Sequence, residues 1–155
     1  MGQFLARLSF WEMVALLGGI TVAVAALFFP VATVRFQLMG MWGSESFTLV
    51  EGYRFLGIAL LLGTLGSLVA LWLNLSWFRR IAVAVGGFSL LILLWVSVDV
   101  LSAQGLVKQL KALNQLGGNL LGVDAGASLA HGALFLLLGG VAALVGGLQA
   151  LRQTA

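Results

Sequence analysis

The stretch Ile81–Val98, IAVAVGGFSLLILLWVSV, has no charged residue, follows Arg79 and Arg80, and stops before Asp99. An α-helix rises about 1.5 Å per residue, so about 20 mainly apolar residues cross the hydrocarbon core of a bilayer. With a few residues added at its end, this stretch is long enough to cross. It therefore predicts a transmembrane helix over residues 81–103.

Three further runs of the chain also lack charged side chains: Met13–Val34, Phe55–Phe78 and Ser128–Leu151. They predict spans at about residues 11–33, 54–76 and 128–151. Pro30 marks the end of the first span, because proline cannot continue the helical hydrogen-bond ladder. The first run is longer than the apolar core of a signal peptide and lacks a small-residue cleavage pattern, so we expect it to remain in the mature protein.

Composition agrees with four spans. Of the 155 residues 61% are hydrophobic and only 8% are charged. Eight Lys/Arg and five Asp/Glu are too few to cover the surface of a soluble domain of this size. No linker or charge block divides the chain, so we expect one membrane domain over residues 1–155. The predicted fold class is all-α and integral to the membrane: a four-helix bundle with a small extracytoplasmic β-hairpin and an amphipathic helical extension.

Basic residues predict the orientation. Four Lys/Arg lie on the side of the termini and the Trp77–Arg80 turn, and four lie on the other side: Arg35, Arg54, Lys108 and Lys111. Arg79 and Arg80 are concentrated in a short turn, so the positive-inside rule places that turn and both termini in the cytoplasm. The chain has no cysteine, which suits a bacterial source and an inner (plasma) membrane. The net charge of +3 fits anchoring near anionic lipid and predicts no nucleic-acid partner.

Residues 34–53 form the first predicted outer loop. Apolar and polar residues alternate from Thr33 to Leu38 with the period of a half-buried strand, and Ser46–Val50 has the character of a return strand. Glycines between them supply turn positions, so we predict an antiparallel hairpin. Trp42 and Tyr53 are expected near the membrane interface. For Trp42 a membrane anchor and a partner contact both stay open.

Residues 104–127 form the second outer loop and contain a leucine stripe opposite polar residues, which is typical of an amphipathic helix. This helix is either an extension of the third span or a separate helix in the interface. We expect its leucines to pack on Phe36, Leu38 and Phe47 of the hairpin. The alternative is that this outer surface binds a partner, and the candidate residues are Phe36, Trp42, Phe47, Leu106, Leu110 and Leu113.

Small residues recur within the spans at helix-packing intervals: Gly63 with Ser67, and Gly139, Ala143 and Gly147. Apolar helices are not driven together by the hydrophobic effect in lipid, so close backbone approach at small residues is a main source of association. We predict that these residues pack helices within the monomer.

Few ionisable residues lie near the predicted spans, and each needs a structural or functional reason there. Glu12, at the start of the first span, is expected to meet head-group water or Arg80. Asp99 and His131 lie at the outer ends of the third and fourth spans, where a carboxylate could orient the imidazole. We predict a polar Asp99–His131 pair that ties two helix ends together.

The sequence contains little catalytic chemistry. It has no nucleophile elbow, no HExxH motif, no phosphate loop and one histidine. The prediction is a protein that is not an enzyme, with no metal site and no cofactor. His131 is the one candidate cofactor ligand that the chain offers.

The predicted layout resembles the claudin-like tetraspan superfamily. Gly40-Met41-Trp42 is similar to that family's Gly-Leu-Trp motif, and Arg54 stands where an arginine precedes the second span. Pro30 matches a proline at the end of the first span, and Gly132-Ala133-Leu134-Phe135 resembles the opening of the fourth span. The family's two loop cysteines are absent, and Ala32 replaces its tryptophan. The resemblance implies architecture and does not extend to a paracellular barrier.

Three functions from different classes follow as hypotheses. The leading one is a noncatalytic scaffold or accessory subunit, whose partners are the lipid bilayer and other membrane subunits or a second copy. The second is a carrier or pore for a small or hydrophobic solute. The third is a cofactor-binding subunit of a redox or pigment complex, which rests on His131 alone.

Overall fold

The computed structural model of the chain describes residues 8–38, 41–73, 77–116 and 124–153, apart from the side chains of residues 38, 110, 113, 114, 116 and 124. The elements within these ranges, in chain order, are α1 Phe10–Phe28, β1 Pro30–Leu38, β2 Met41–Thr48, α2 Leu49–Gly52, α3 Arg54–Trp72, α4 Trp77–Leu116, β3 Asp124–Leu129 and α5 His131–Arg152. Helices α1, α3, α4 and α5 are long and apolar enough to cross a membrane. This confirms the four predicted long apolar helices, as a multi-pass membrane protein requires.

Helix α1 is shorter than the predicted span over residues 11–33. A capping box starts it: Ser9 Oγ accepts from the Glu12 amide, and Glu12 Oε2 accepts from the Ser9 amide. The helix ends at Phe28, and strand β1 begins at Pro30. Proline has no amide hydrogen to donate, so the chain leaves the helix here and continues as a strand.

Helix α5 packs closely against two neighbouring helices, α1 and α4, because each of two glycine pairs in it meets both of them. The glycine at position 139 lies against Gly18 and Val22 of α1, and position 146 lies against Trp11 and Ala15 of α1. The next residues, Gly140 and Gly147, lie against α4 near Ser89 and Val83. Adjacent helix positions point about 100° apart, so each Gly-Gly pair removes a side chain from two faces. The seven-residue spacing repeats this arrangement two turns further on.

Helix α4 is 40 residues long and continuous, which decides between the two predicted arrangements of the outer segment. It spans roughly 60 Å at 1.5 Å per residue, about twice the hydrocarbon thickness. Residues 104–116 therefore extend the third long helix instead of forming a separate one.

Both outer segments contribute to one sheet of three antiparallel strands in the order β2-β1-β3. The predicted hairpin of β1 and β2 is present, with Phe36 opposite Gly43. The return strand was predicted over Ser46–Val50, but β2 covers Met41–Thr48, because Leu49 and Val50 begin the capped helix α2. The third strand was not predicted, because residues 124–129 were divided between the second loop and the fourth span. The backbone of β3 pairs Ala127 with Val34, and α5 starts only at His131. We call this end of the bundle the sheet end.

Candidate functional site

An open groove of about 490 Å³ lies between the sheet and α4 at the sheet end. Its walls are mostly small apolar side chains, namely Ala32, Val34 and Ala127 on the sheet and Val100 and Ala103 on α4. Cross-strand partners point to the same face of a sheet, so Ala32 and Val34 share this face with Phe47 and Ala127. Alanines on both facing walls leave the space unfilled.

A hydrogen bond crosses one end of this groove. Tyr53 Oη donates to Asp99 Oδ2 over 2.8 Å and joins the start of α3 to α4. The short helix α2 positions Tyr53, and a capping box fixes α2: Thr48 Oγ1 accepts from the Glu51 amide, and Glu51 Oε2 accepts from the Thr48 amide. Gln104 adds a second link, because its Nε2 donates to the Ala127 carbonyl over 2.7 Å.

The ionisable groups of the groove are acidic. Glu51 and Asp99 line it together with the phenol of Tyr53, and none of its lining residues is basic. Burial, and then the neighbouring Asp99 carboxylate, raise the pKa of Tyr53 to about 12. The hydrogen bond from the Thr48 amide lowers the pKa of Glu51, which stays ionised. The groove thus combines apolar walls with negative charge.

The predicted Asp99–His131 pair is not formed. The Asp99 carboxylate accepts from Tyr53, whereas His131 lines a separate groove of about 430 Å³ with Leu93 and Ser97. Ser97 and Asp99 are two residues apart on α4 and therefore point to nearly opposite sides of the helix. Asp99 and His131 therefore lie on different sides of α4.

The candidate partner-binding residues occupy different parts of the sheet end. The ring of Phe36 lies half exposed over the Gly43 backbone, and Phe47 lines the groove. Trp42 is 71% exposed, and its neighbour Met41 is 72% exposed. Leu106 is 63% exposed and is not covered by the sheet, which contacts α4 through Ala103 and Gln104 instead. The side chains of Leu110 and Leu113 lie outside the described part of the chain.

The glycines and Ala143 among the candidate helix-packing residues lie at contacts between helices. Gly139 and Ala143 contact Gly18 of α1, and Gly147 contacts α4. A Cβ at position 63 of α3 would lie 3.0 Å from Val85 Cγ2, so this glycine faces α4. Ser67 is buried and donates to the Thr64 carbonyl within its own helix.

An ion pair joins two helices at the end opposite the sheet. Arg79 Nη2 and Nε each lie 2.9 Å from Glu12 Oε1. The partner of Glu12 is therefore Arg79 and not Arg80. Adjacent residues point about 100° apart on α4, so Arg79 faces α1 while Arg80 is exposed.

Two features of the site were missed in the sequence, although signals for one are present. The motif Thr48-Leu-Val-Glu51 has the Ser/Thr-x-x-Glu spacing of a capping box and precedes Tyr53, so it could have located α2. Strand β3 has no comparable signal, because its sequence DAGASL is short and weakly apolar. Among the described residues no group of three His, Cys, Asp or Glu could hold a metal ion.

No family model matches the chain, and a comparison with curated proteins found no match either.

Proposed function

We propose that this protein is a noncatalytic scaffold or accessory subunit of a membrane, which binds other membrane proteins through its sheet and the outward faces of its helices. The observation that carries this proposal is the exposure of Met41 and Trp42 at the tip of the hairpin, the end of β1 and β2 that lies farthest from Pro30 and the end of α1. These residues pair with Leu38 and Gln37, seven or eight positions along β1 from Pro30. At about 3.3 Å per residue this is roughly 23 Å from the end of α1.

That placement favours a partner contact for Trp42 over a membrane anchor. Strands β1 and β3 run beside the extension of α4, since Gln104 bonds Ala127 opposite Val34. The tip of the hairpin thus projects away from the apolar helix segments that would lie in lipid. Exposed tryptophan and methionine are enriched at protein interfaces.

The outward face of α3 supports the same function inside the membrane. Its exposed large side chains alternate at intervals of three and four residues: Phe55, Ile58, Leu62, Leu65, Val69 and Trp72. Lipid or the helix of another subunit can cover such a stripe. Gly66 lies beside it with open space around its Cβ position, so another backbone has room to approach there.

The glycine contacts of α5 argue against the carrier or pore hypothesis. Helix α5 meets α1 and α4 at distances that leave no room even for an added methyl group along these two seams. A solute path through the middle of the bundle would have to part them. The cofactor hypothesis still rests on His131, which lines an apolar groove beside Ser97.

We also propose a claudin-like arrangement in a bacterial inner membrane with both termini in the cytoplasm. The order long helix, two strands, two long helices, strand, long helix supports the claudin-like arrangement. The position of Arg79 and Arg80 at the end opposite the sheet supports the placement of the termini in the cytoplasm.

Cross-linking tests the scaffold function. A photo-reactive phenylalanine analogue at position 42 should cross-link to a defined neighbour at native expression, and the same analogue at position 80 should not capture it. Replacing Met41 and Trp42 with serine should reduce recovery of that neighbour in mild detergent while the thermal unfolding of the protein is unchanged. A monodisperse monomer with no cross-linked neighbour would contradict the proposal.

A further inference from the structure

The groove between the sheet and α4 differs from the tightly packed seams lower in the bundle. Protein interiors are normally filled at the density of organic crystals, and a volume of this size is in the range of small-molecule sites. The groove persists because Ala32, Ala103 and Ala127 stand where larger side chains would close it. The hydrogen bonds of Tyr53 and Gln104 hold its walls in place on either side.

The charge of the groove selects among ligands. Asp99 and Glu51 contribute two carboxylates, and the lining contains no basic side chain to neutralise them. Within the described residues, Asp99 Oδ2 accepts from Tyr53 and no hydrogen bond occupies Oδ1. Glu51 uses Oε2 for the Thr48 amide. An anionic ligand would be repelled here, while a cation would be attracted from the solvent side.

The apolar walls select the rest of the ligand. Val34, Val100 and the alanines offer surface to a hydrocarbon body, and the rings of Phe47 and Tyr53 lie in the same groove. Aromatic faces attract ammonium groups, including quaternary ones that cannot donate hydrogen bonds. A small inorganic cation would leave the apolar walls unused.

We propose that this groove is a binding site for a lipophilic organic ammonium ion, with the charged nitrogen beside the Asp99 carboxylate and the hydrocarbon part along Ala32, Val34 and Ala103. The proposal is independent of the scaffold function, because the groove and the exposed pair Met41 and Trp42 are separate surfaces. The ligand enters from the open side of the groove, where Asp99 is exposed.

A single natural probe reports on the site, since Tyr53 is the only tyrosine of the chain. Ring-labelled tyrosine gives NMR signals from this residue alone. The protein in neutral detergent is titrated with four probes that share an octyl chain: octylammonium, octyltrimethylammonium, octanol and octanoate. Both cations should shift the Tyr53 signals with saturation, octanol should do so only at much higher concentration, and octanoate should have the weakest effect.

The variant Asp99→Asn removes the charge and keeps an oxygen that can accept from Tyr53. It should weaken the binding of both cations by about threefold to tenfold and leave the affinity for octanol unchanged. Glu45→Gln is the matched control, because Glu45 is an exposed carboxylate that pairs with Val34 on the same face of the sheet but does not line the groove. It should weaken the binding of the two cations less than Asp99→Asn does and leave the affinity for octanol unchanged.

Three outcomes would overturn the proposal. The first is an equal response to all four probes, which would mean partition of octyl chains into the detergent around the protein. The second is an unchanged cation affinity in Asp99→Asn whose far-UV circular dichroism matches the wild type. The third is the absence of any saturable shift with either cation. Because none of these measurements involves a protein partner, failure here leaves the cross-linking test of the scaffold function intact.

Discussion

Gly18 shows how a residue without a side chain allows two helices to approach closely. A Cβ there would collide with the backbone of α5, 2.7 Å from the Gly139 carbonyl oxygen and 2.9 Å from the Ala142 carbonyl carbon. Backbone atoms cannot rotate away as a long side chain can. The contact between α1 and α5 therefore depends on the absence of a side chain at this position.

We predict that Gly18→Ala lowers the free energy of unfolding by about 1–3 kcal/mol, because the added methyl forces the two helices apart. Gly66→Ala is the matched control, since a Cβ at position 66 of α3 meets no atom within 4 Å. It should be neutral or stabilising by up to about 1 kcal/mol through helix propensity. Thermal unfolding in detergent measures both, and equal effects would contradict the backbone contact.

Tyr53 is the residue whose protonation state reports on the sheet end. Its pKa is raised from 10.0 to about 12, first by burial and then by the Asp99 carboxylate. The folded protein therefore holds the phenol proton more tightly than the unfolded chain does. This contribution to stability is complete below pH 10 and is lost as the pH rises toward 12.

We predict that tyrosinate absorbance in the folded protein appears near pH 12 instead of pH 10, and that stability against denaturant falls between these values. Because the chain has one tyrosine, the absorbance titration needs no assignment. Asp99→Asn should move the midpoint down but leave it above 10, since the effect of burial remains. A midpoint in the variant equal to that of the wild type would exclude the contribution of Asp99.

At the scale of elements, α4 supports the sheet. Its residues up to Val100 pack in the core, with Ile92 and Val96 buried, and Gln104 beyond them bonds β3. Strand β3 has few apolar residues of its own, so its pairing with β1 and the Gln104 hydrogen bond hold it.

We predict that Gln104→Ala loosens β3 without unfolding the bundle. The Ala127 carbonyl would lose its partner, and one such hydrogen bond is worth about 1 kcal/mol. Hydrogen exchange should accelerate at the amides of β3 and remain slow in α1 and α5. Gln115→Ala, an exposed residue further along the same helix, is the control. Unchanged exchange in β3 would mean that strand pairing alone holds this segment.

At the scale of the whole molecule, the two ends of the bundle differ in chemistry. One end carries the Glu12–Arg79 ion pair and the exposed Arg80, and the other carries the sheet with its acidic groove and aromatic tip. This asymmetry fits a protein that meets the cytoplasm at one end and presents a folded surface at the other.

We predict that the sheet end faces away from the cytoplasm, which the lack of cysteine makes simple to test. In intact cells a membrane-impermeant thiol reagent should label Trp42→Cys and not Arg80→Cys. Both side chains are exposed, so accessibility in the folded protein is not the limit. After permeabilisation both positions should react. Labelling of position 80 alone in intact cells would mean that the orientation is the opposite of the predicted one.

The sequence by itself determined the four long apolar helices, because a run of about 20 uncharged apolar residues has one low-energy arrangement in a bilayer. It also determined β1 and the presence of a hairpin, because a period of two is a local signal, whereas β2 lies at Met41–Thr48 and not at the predicted Ser46–Val50. A helix that continues beyond the third span was one of the two predicted arrangements, because nothing in residues 81–104 breaks a helix.

Only the tertiary structure decided which faces meet. Gly139 and Gly140 look alike in the sequence, yet one packs on α1 and the other on α4, because the neighbours of a helix are set by the folded chain. The partners of Asp99 and Glu12 were likewise decided by helix rotation, which places Tyr53 and Arg79 within hydrogen-bond distance. Strand β3 gains its conformation from pairing with β1 more than 80 positions earlier in the chain, and no local signal carries that information.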